Sequence, residues 1–141
     1  MVLDASATMN KEARIIALPK ILDERGNLTF FQNSDQIPFD IKRVFWIYDV
    51  PGGEARGGHA NIEQQELIIS ISGSFDVVVK SKEGREKRFN LNRSYFGLYV
   101  PKNTWRQIEN FSTNAVSFHA CSTAFDESDY IRDYQQYLNQ F

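Results

Sequence analysis

The sequence predicts an all-β barrel or sandwich, and three observations carry this prediction. Short apolar runs recur along most of the chain, turn-forming residues separate them, and one run alternates with a period of two. In that run Phe75, Val77 and Val79 alternate with Asp76 and Lys80, which is the pattern of a half-buried strand. Short strands at regular spacing indicate a sandwich or a closed barrel rather than a parallel sheet.

The strands follow one another in a regular order. We expect them at 14–18, 27–32, 42–48, 66–72, 74–80, 85–91, 95–100 and 115–122. Turn signals lie at Arg25 and Gly26, at 51–53 and at 81–84, and the last of these predicts a hairpin between its two flanking strands.

The C-terminal stretch 126–141 departs from this pattern. It begins with acidic residues, which favour a helix N-terminus. Ile131, Tyr134, Leu138 and Phe141 recur at three- and four-residue spacing and form one apolar face. The stretch is therefore predicted to be a short α-helix that packs on the barrel or on a second subunit.

Composition narrows the possible classes of protein. The 141 residues suit one domain over 1–141, with 1–12 expected to be a loosely ordered tail. Sixteen Lys and Arg against eighteen Asp and Glu give a net charge of −2, which argues against a nucleic-acid partner. No apolar run approaches the roughly 20 residues of a membrane span. With Cys121 as the single cysteine, we expect a soluble, cytoplasmic protein.

The motif with the clearest chemistry is a glycine turn followed by His59, Asn61, Glu66 and Gly73. It is similar to the first signature of the cupins, H-x-H-x4-E-x6-G, with Asn61 in place of the second histidine. Side chains at 59 and 61 lie two apart on one strand and point the same way. The resemblance implies a cupin-type double-stranded β-helix, a jelly-roll barrel, with the short C-terminal α-helix added.

The second cupin signature, P-x-G-x2-H-x3-N, is met in part by residues 101–110. Asn103 takes the place of the glycine and Arg106 that of the histidine. A metal-loaded cupin needs three or four N or O ligands, and a permanent cation beside a divalent ion is unfavourable. We therefore expect no metal and no cofactor. An arginine and a histidine in an aromatic-lined barrel suit an anionic, sugar-like ligand instead.

Several segments together resemble the bacterial sugar 3,4-ketoisomerases of the WxcM-like cupin group. They are 41–49, 56–60, 72–74, 97–100 with Trp105, and 125–132, and the resemblance runs from about Ile15 to the C-terminus. It implies an isomerase that moves the keto group of dTDP-4-keto-6-deoxyglucose from C4 to C3 through an enediol. It also implies a role in deoxy-amino-sugar synthesis for surface polysaccharide, and a homodimer.

The same resemblance implies roles for individual residues. His59 matches the first catalytic histidine and is our general base. Asn61 replaces the second; its amide can hydrogen-bond an enolate oxygen but cannot transfer a proton. Donors to the developing oxyanion are expected among Arg43, Arg56, Arg106, Tyr48 and Tyr99. Arg25, Arg56 and Arg106 are assigned to the pocket and the phosphates, and Trp46 to the ligand-facing wall.

The remaining candidates have a structural alternative. Glu66 either orients His59 or takes part in the chemistry, and Trp46 and Trp105 serve either the core or the ligand. His119 is expected to be structural, with a reserve role as proton donor. Asn61 itself is an engineered change, a natural variant with another proton donor, or a sign of lost activity. The alternative functions are accordingly a non-catalytic nucleotide-sugar-binding cupin and a related 3,5-epimerase.

Overall fold

The structure is a computed structural model that describes residues 12–140. In this range it contains twelve strands, a short 3-10 helix and one α-helix. The elements are β1 (Arg14–Ala17), β2 (Lys20–Ile21), β3 (Leu28–Thr29), β4 (Arg43–Ile47), β5 (Arg56–Asn61), β6 (Glu66–Ser72), β7 (Phe75–Lys80), β8 (Glu86–Leu91), β9 (Phe96–Val100), β10 (Trp105–Glu109), β11 (Val116–Cys121), the 3-10 helix (Glu127–Asp129), β12 (Tyr130–Ile131) and α1 (Tyr134–Gln140).

The strands form two antiparallel five-stranded sheets. The first sheet has the order β1-β9-β6-β11-β4, and the second has the order β12-β5-β10-β7-β8. A separate two-stranded ribbon, β2 with β3, pairs with neither of them. From β4 onward, consecutive strands alternate between the two sheets in the manner of a jelly roll, with the β7–β8 hairpin as the exception, and α1 follows the last strand. The predicted cupin-type jelly-roll barrel is therefore confirmed.

The core lies between the two sheets. Ile68, Leu98 and Val100 from the first sheet pack with Val77 and Leu91 from the second. This cluster fills one end of the barrel, because strands β6, β7 and β9 are apolar on their inward faces. A second cluster lies outside the first sheet, where the segment before β4 covers Tyr99 with Ile37 and Phe39. The apolar core therefore leaves the other end of the barrel to polar residues.

The C-terminus differs from its prediction as one continuous helix. Residues 127–129 form the 3-10 helix, and β12 then adds to the edge of β5 by pairing Tyr130 with Asn61 and Ile131 with Ala60. The exposed edge of β5 offers backbone hydrogen bonds that a helix at this point would leave unmade. Up to residue 140, the α-helical part of this stretch is α1, and its buried residue is Tyr137. Phe141 of the predicted apolar face lies outside the described residues.

Two other predictions need adjustment. The strand expected over 27–32 is reduced to β3, and β10 was not among the predicted strands. The loosely ordered tail predicted for 1–12 falls, except for residue 12, outside the range that the structure describes. Between residues 12 and 140, no helix combines the length and the apolarity that crossing a membrane requires.

Candidate functional site

A polar cavity of about 280 Å³ opens at the end of the barrel that the core leaves free. Strands β4, β6 and β11 of the first sheet and β5, β10 and β12 of the second supply its wall. The lining residues are Phe45, Ile47, Arg56, Gly57, His59, Glu66, Arg106, Ile108, His119, Tyr130 and Arg132. Three arginines face one glutamate in this set, so the cavity is suited to an anion.

The alternation of β4 decides which of its aromatic residues reach the cavity. Phe45 and Ile47 point inward and line it, whereas Trp46 and Tyr48 on the opposite phase are 57% and 61% exposed. Trp46 was predicted for the ligand-facing wall and Tyr48 as an oxyanion donor, and the structure places both outside this cavity. Every residue of this strand after its first is apolar, so its phase could not be read from the sequence.

His59 lies in the cavity wall, and neither of its ring nitrogens is hydrogen-bonded to a side chain of the described residues. Its ring lies beside that of Tyr130, with 4.9 Å between the ring centroids. Both nitrogens are shielded from solvent, and a contact with the Gly57 backbone favours the protonated ring. Burial, and then the positive charge of Arg106, lower the pKa of His59 to about 3. The imidazole is thus neutral at physiological pH and can accept a proton.

Glu66 is the centre of a buried network behind His59. One carboxylate oxygen accepts a 2.6 Å hydrogen bond from Nη2 of Arg106, and the other is 2.8 Å from Nδ1 of His119. Burial alone would raise the pKa of Glu66, but Arg106 and His119 together lower it overall. The other ring nitrogen of His119, Nε2, lies 2.8 Å from Oγ of Ser117. The His119 ring stacks on the ring of Phe45, with 4.2 Å between the ring centroids.

This network explains the roles that three of the candidates take. Glu66 and His119 use all their polar atoms on protein partners, so both hold the site in shape. Arg106 contributes a fixed positive charge where the cupin signature has a histidine. Within residues 12–140, no three His, Cys, Asp or Glu side chains are grouped in a way that would hold a metal ion.

Asn61 does not line the cavity, although it lies two residues from His59 on the same strand. It is fully buried, and its amide donates a 3.1 Å hydrogen bond to Oδ2 of Asp129. The same carboxylate accepts the backbone amides of Glu63 and Gln64. Asn61 is thus committed to the β5–β6 turn, and its NH2 group is not directed at a ligand as predicted.

Four further candidates take different positions. Arg56 lies exposed at the cavity rim. Tyr99 is 1% exposed in the second cluster; its hydroxyl donates to Gln65, and burial raises its pKa. Arg25 is paired with Asp23 in an exposed turn. Trp105 packs against Tyr134 and Tyr137. Of these four, only Arg56 lines the cavity.

Arg43, the remaining candidate, does not line the cavity but contacts a residue that does. Its Nη2 donates a 2.7 Å hydrogen bond to the hydroxyl of Tyr130. Tyr130 and Arg132 line the cavity and were not among the predicted site residues. A signal was present, because the segment Asp-Tyr-Ile-Arg was one of the pieces that resembled the ketoisomerases. The helix predicted there concealed its position on the edge of β5.

Comparison with known proteins identifies the family of this chain. A family model described as "FdtA: WxcM-like, C-terminal" matches residues 11–141. The chain belongs to this WxcM-like family. A curated relative, TDP-4-oxo-6-deoxy-alpha-D-glucose-3,4-oxoisomerase from Aneurinibacillus thermoaerophilus, is 34% identical over 126 residues, which cover 89% of this chain and 90% of that protein.

Solved structures show the same similarity in three dimensions. A 3,4-ketoisomerase from Helicobacter canadensis is 36% identical with a TM-score of 0.87, over 91% of this chain and 96% of that chain. A histidine-to-asparagine mutant of the 3,4-ketoisomerase QdtA from Thermoanaerobacterium thermosaccharolyticum, in complex with TDP-4-keto-6-deoxyglucose, is 33% identical with a TM-score of 0.88. That match covers 91% of this chain and 92% of the other.

Proposed function

We propose that this WxcM-like protein is a sugar-nucleotide 3,4-ketoisomerase that moves the keto group of a dTDP-linked 4-keto-6-deoxyhexose from C4 to C3. The observation that carries the proposal is His59, a neutral imidazole at the wall of a cationic cavity, whose two nitrogens are not hydrogen-bonded to any side chain between residues 12 and 140. The named relatives support the same reaction. As the sequence resemblance implied, we assign the reaction to deoxy-amino-sugar synthesis for surface polysaccharide.

His59 is the group that removes the proton from C3. A C–H bond next to a ketone is only weakly acidic, so negative charge must be stabilised on the oxygen as the proton leaves. Arg106 holds a positive charge in the same wall, and Glu66 fixes its position. The cavity thus combines a proton acceptor with a field that favours an enolate. No cofactor enters this proposal.

The diphosphate is assigned to the rim of the cavity. Arg56 and Arg132 are both exposed lining residues there, and arginine binds phosphate oxygens through a planar fork of donors. Arg132 is held in position by Glu127, at 3.0 and 3.1 Å. A cavity of about 280 Å³ is near the lower limit for small-molecule sites, which suits the sugar ring inside and the nucleotide outside.

We also propose a homodimer formed through the outer face of the first sheet. Val44, Trp46, Tyr48 and Ile71 are apolar or aromatic and between 46% and 61% exposed on that face. A groove of about 770 Å³ continues it below the β2–β3 ribbon. An exposed apolar surface of this extent is typical of an interface, and a second copy would cover it symmetrically. The cytoplasmic location stays a prediction.

The function is tested by binding and by turnover. We expect dTDP to raise the melting temperature, and dTDP-4-keto-6-deoxyglucose to give a 3-keto sugar that NMR detects and a downstream aminotransferase traps. His59→Gln should lower kcat by roughly 10²- to 10⁴-fold, as loss of a general base does, with the dTDP-induced shift retained. If the unmodified protein shows neither a dTDP shift nor a 3-keto product, the proposed substrate class is wrong.

The two alternative functions give different results in the same experiment. A non-catalytic member binds dTDP without turnover, and Asn61→His would then restore activity if only a proton-transfer group were missing. The QdtA mutant structure supports this possibility for binding, since it holds the keto sugar with one histidine replaced by asparagine. A 3,5-epimerase would exchange the C5 hydrogen with solvent deuterium, which a ketoisomerase does not do.

A further inference from the structure

The reaction needs a second proton-transfer group, because one proton must pass between two oxygen atoms as another passes between two carbons. Asn61 cannot supply that group, since an amide does not ionise near neutral pH and its NH2 is bonded to Asp129. The group therefore has to be found elsewhere in the cavity wall. This question rests on the proposed ketoisomerase function.

The ionisable residues of the wall are few, and most are already committed. The arginines stay protonated throughout. Both carboxylate oxygens of Glu66 are bonded to Arg106 and His119. Both ring nitrogens of His119 are likewise occupied, by Glu66 and Ser117. Among the lining residues, this leaves His59 and Tyr130 with a proton site that is not committed to another side chain.

The hydrogen bonding of Tyr130 keeps its own proton available. Its hydroxyl oxygen accepts the 2.7 Å hydrogen bond from Nη2 of Arg43, and arginine has only protons to give. The phenolic O–H must therefore point to another acceptor, and it has none within residues 12–140. The ring of Tyr130 lies beside that of His59, at 4.9 Å. His59 and Tyr130, the two residues with an uncommitted proton site, thus line the same cavity.

Arg43 is held firmly enough to act on Tyr130. Its guanidinium lies between the rings of Phe45 and Phe125, at 5.0 and 5.2 Å from their centroids. Gln64 accepts a further hydrogen bond from it at 3.4 Å. A fixed cation bonded to the phenol oxygen stabilises the phenolate when the proton leaves. Arg43 is therefore a positioning and charge-stabilising residue that acts through Tyr130.

We propose that Tyr130 is the second catalytic acid–base of this protein and carries the proton that passes between O4 and O3. His59 takes the proton from C3, the C3–H electron pair forms the C3–C4 double bond, and O4 takes the proton of Tyr130. The Tyr130 phenolate then takes the O3 proton, the carbonyl forms at C3, and C4 takes the proton from His59. Both residues return to their initial protonation states, and the atoms and charges balance.

The test is Tyr130→Phe, which keeps the ring beside His59 and the pairing of β12 and removes only the hydroxyl. We expect kcat to fall on the order of 100-fold or more, while the dTDP dissociation constant changes by no more than about twofold. In deuterated water, exchange at C3 of the substrate should fall less than isomerisation does, because His59 is intact. Tyr134→Phe is the matched control, since its hydroxyl bonds the Ser81 carbonyl away from the cavity.

The second variant addresses Arg43. Arg43→Met should also lower kcat, and the double variant with Tyr130→Phe should be little slower than Tyr130→Phe alone, because Arg43 acts through the phenol. A kcat of Tyr130→Phe within about threefold of the unmodified protein would overturn the assignment. So would equal losses of exchange and isomerisation, or fully additive effects in the double variant. Failure of the proposed function shows separately, as absence of 3-keto product from the unmodified protein.

Discussion

His59 and Arg106 face each other across paired strands, and their proximity sets the chemistry of the site. Arg106 is opposite His59 in the register of β10 and β5, so its charge acts on the imidazole at short range. Glu66 holds the guanidinium of Arg106 in place through a 2.6 Å hydrogen bond. A base that stays unprotonated while buried beside a cation is suited to receive a proton from a substrate that brings its own negative charge.

Burial of His59, together with the charge of Arg106, makes the stability of the protein depend on pH. In the unfolded chain His59 has a pKa of about 6.5, but in the folded protein the value is about 3. Between these values the unfolded chain binds more protons, so the free energy of unfolding falls as the pH drops from about 6.5 toward 3. The lowered pKa of Glu66 adds a loss in the same direction below about pH 4.5.

His59→Gln should therefore reduce the loss of stability between about pH 6.5 and pH 4.5, where Glu66 contributes little. Urea denaturation midpoints of the unmodified protein and the variant, measured across this range, give the comparison. An equally steep decline in both proteins would show that another group is responsible.

Strand β9 crosses the first sheet at a point where the neighbouring strand leaves no room for a side chain. A Cβ atom on Gly97 would lie 2.9 Å from the carbonyl oxygen of Ile68 and 3.0 Å from side-chain carbons of Leu67 and Ile69. The backbone oxygen cannot move away without disturbing the pairing of β6 with β9. The glycine is thus required by a close approach between strands.

Gly97→Ala is expected to lower the free energy of unfolding by about 1–3 kcal/mol, as overpacking in a core does. Gly52→Ala is the control, because a Cβ there meets nothing within 4 Å, and it should leave stability unchanged. Denaturant unfolding of both variants checks the prediction. Equal stability of the two variants would mean that β9 shifts to accommodate the methyl group.

Strand β12 shows how a two-residue element can complete a site. It adds to the edge of β5 and so brings Tyr130 alongside His59. Asp129, just before it, accepts hydrogen bonds from the turn that follows β5. These hydrogen bonds explain why Asn61 serves the structure of the turn, and they are part of our reason for proposing a second proton-transfer group in the C-terminal segment.

The two large sheets of the barrel differ in their outer surfaces. The outer face of the first sheet carries exposed Trp46, Tyr48 and Ile71, whereas the edge strand β8 of the second sheet exposes polar and charged residues: Glu86, Lys87, Arg88 and Asn90. One surface is suited to contact with another protein and the other to water. This asymmetry is the basis of the proposed homodimer.

Trp46→Glu should convert the proposed dimer to a monomer, because it places a charge at the centre of the apolar face. Size-exclusion chromatography with light scattering measures the mass of each species. Lys87→Glu on the second sheet is the control and should remain dimeric. A monomeric unmodified protein, or a Trp46→Glu variant of unchanged mass, would contradict the proposed interface.

Most strands, and the position of His59, could be read from the sequence because period-two alternation and motif spacing are local properties of the chain. The inward face of β4 could not, since Val44, Phe45, Trp46 and Ile47 are apolar on both phases and only pairing with β11 selects one. The surroundings of Asn61 and Tyr130 could not be read from the sequence either, because long-range contacts determine them. Their roles follow from Asp129 and Arg43, which lie 68 and 87 residues away from them along the chain, and local sequence patterns do not encode contacts across such distances.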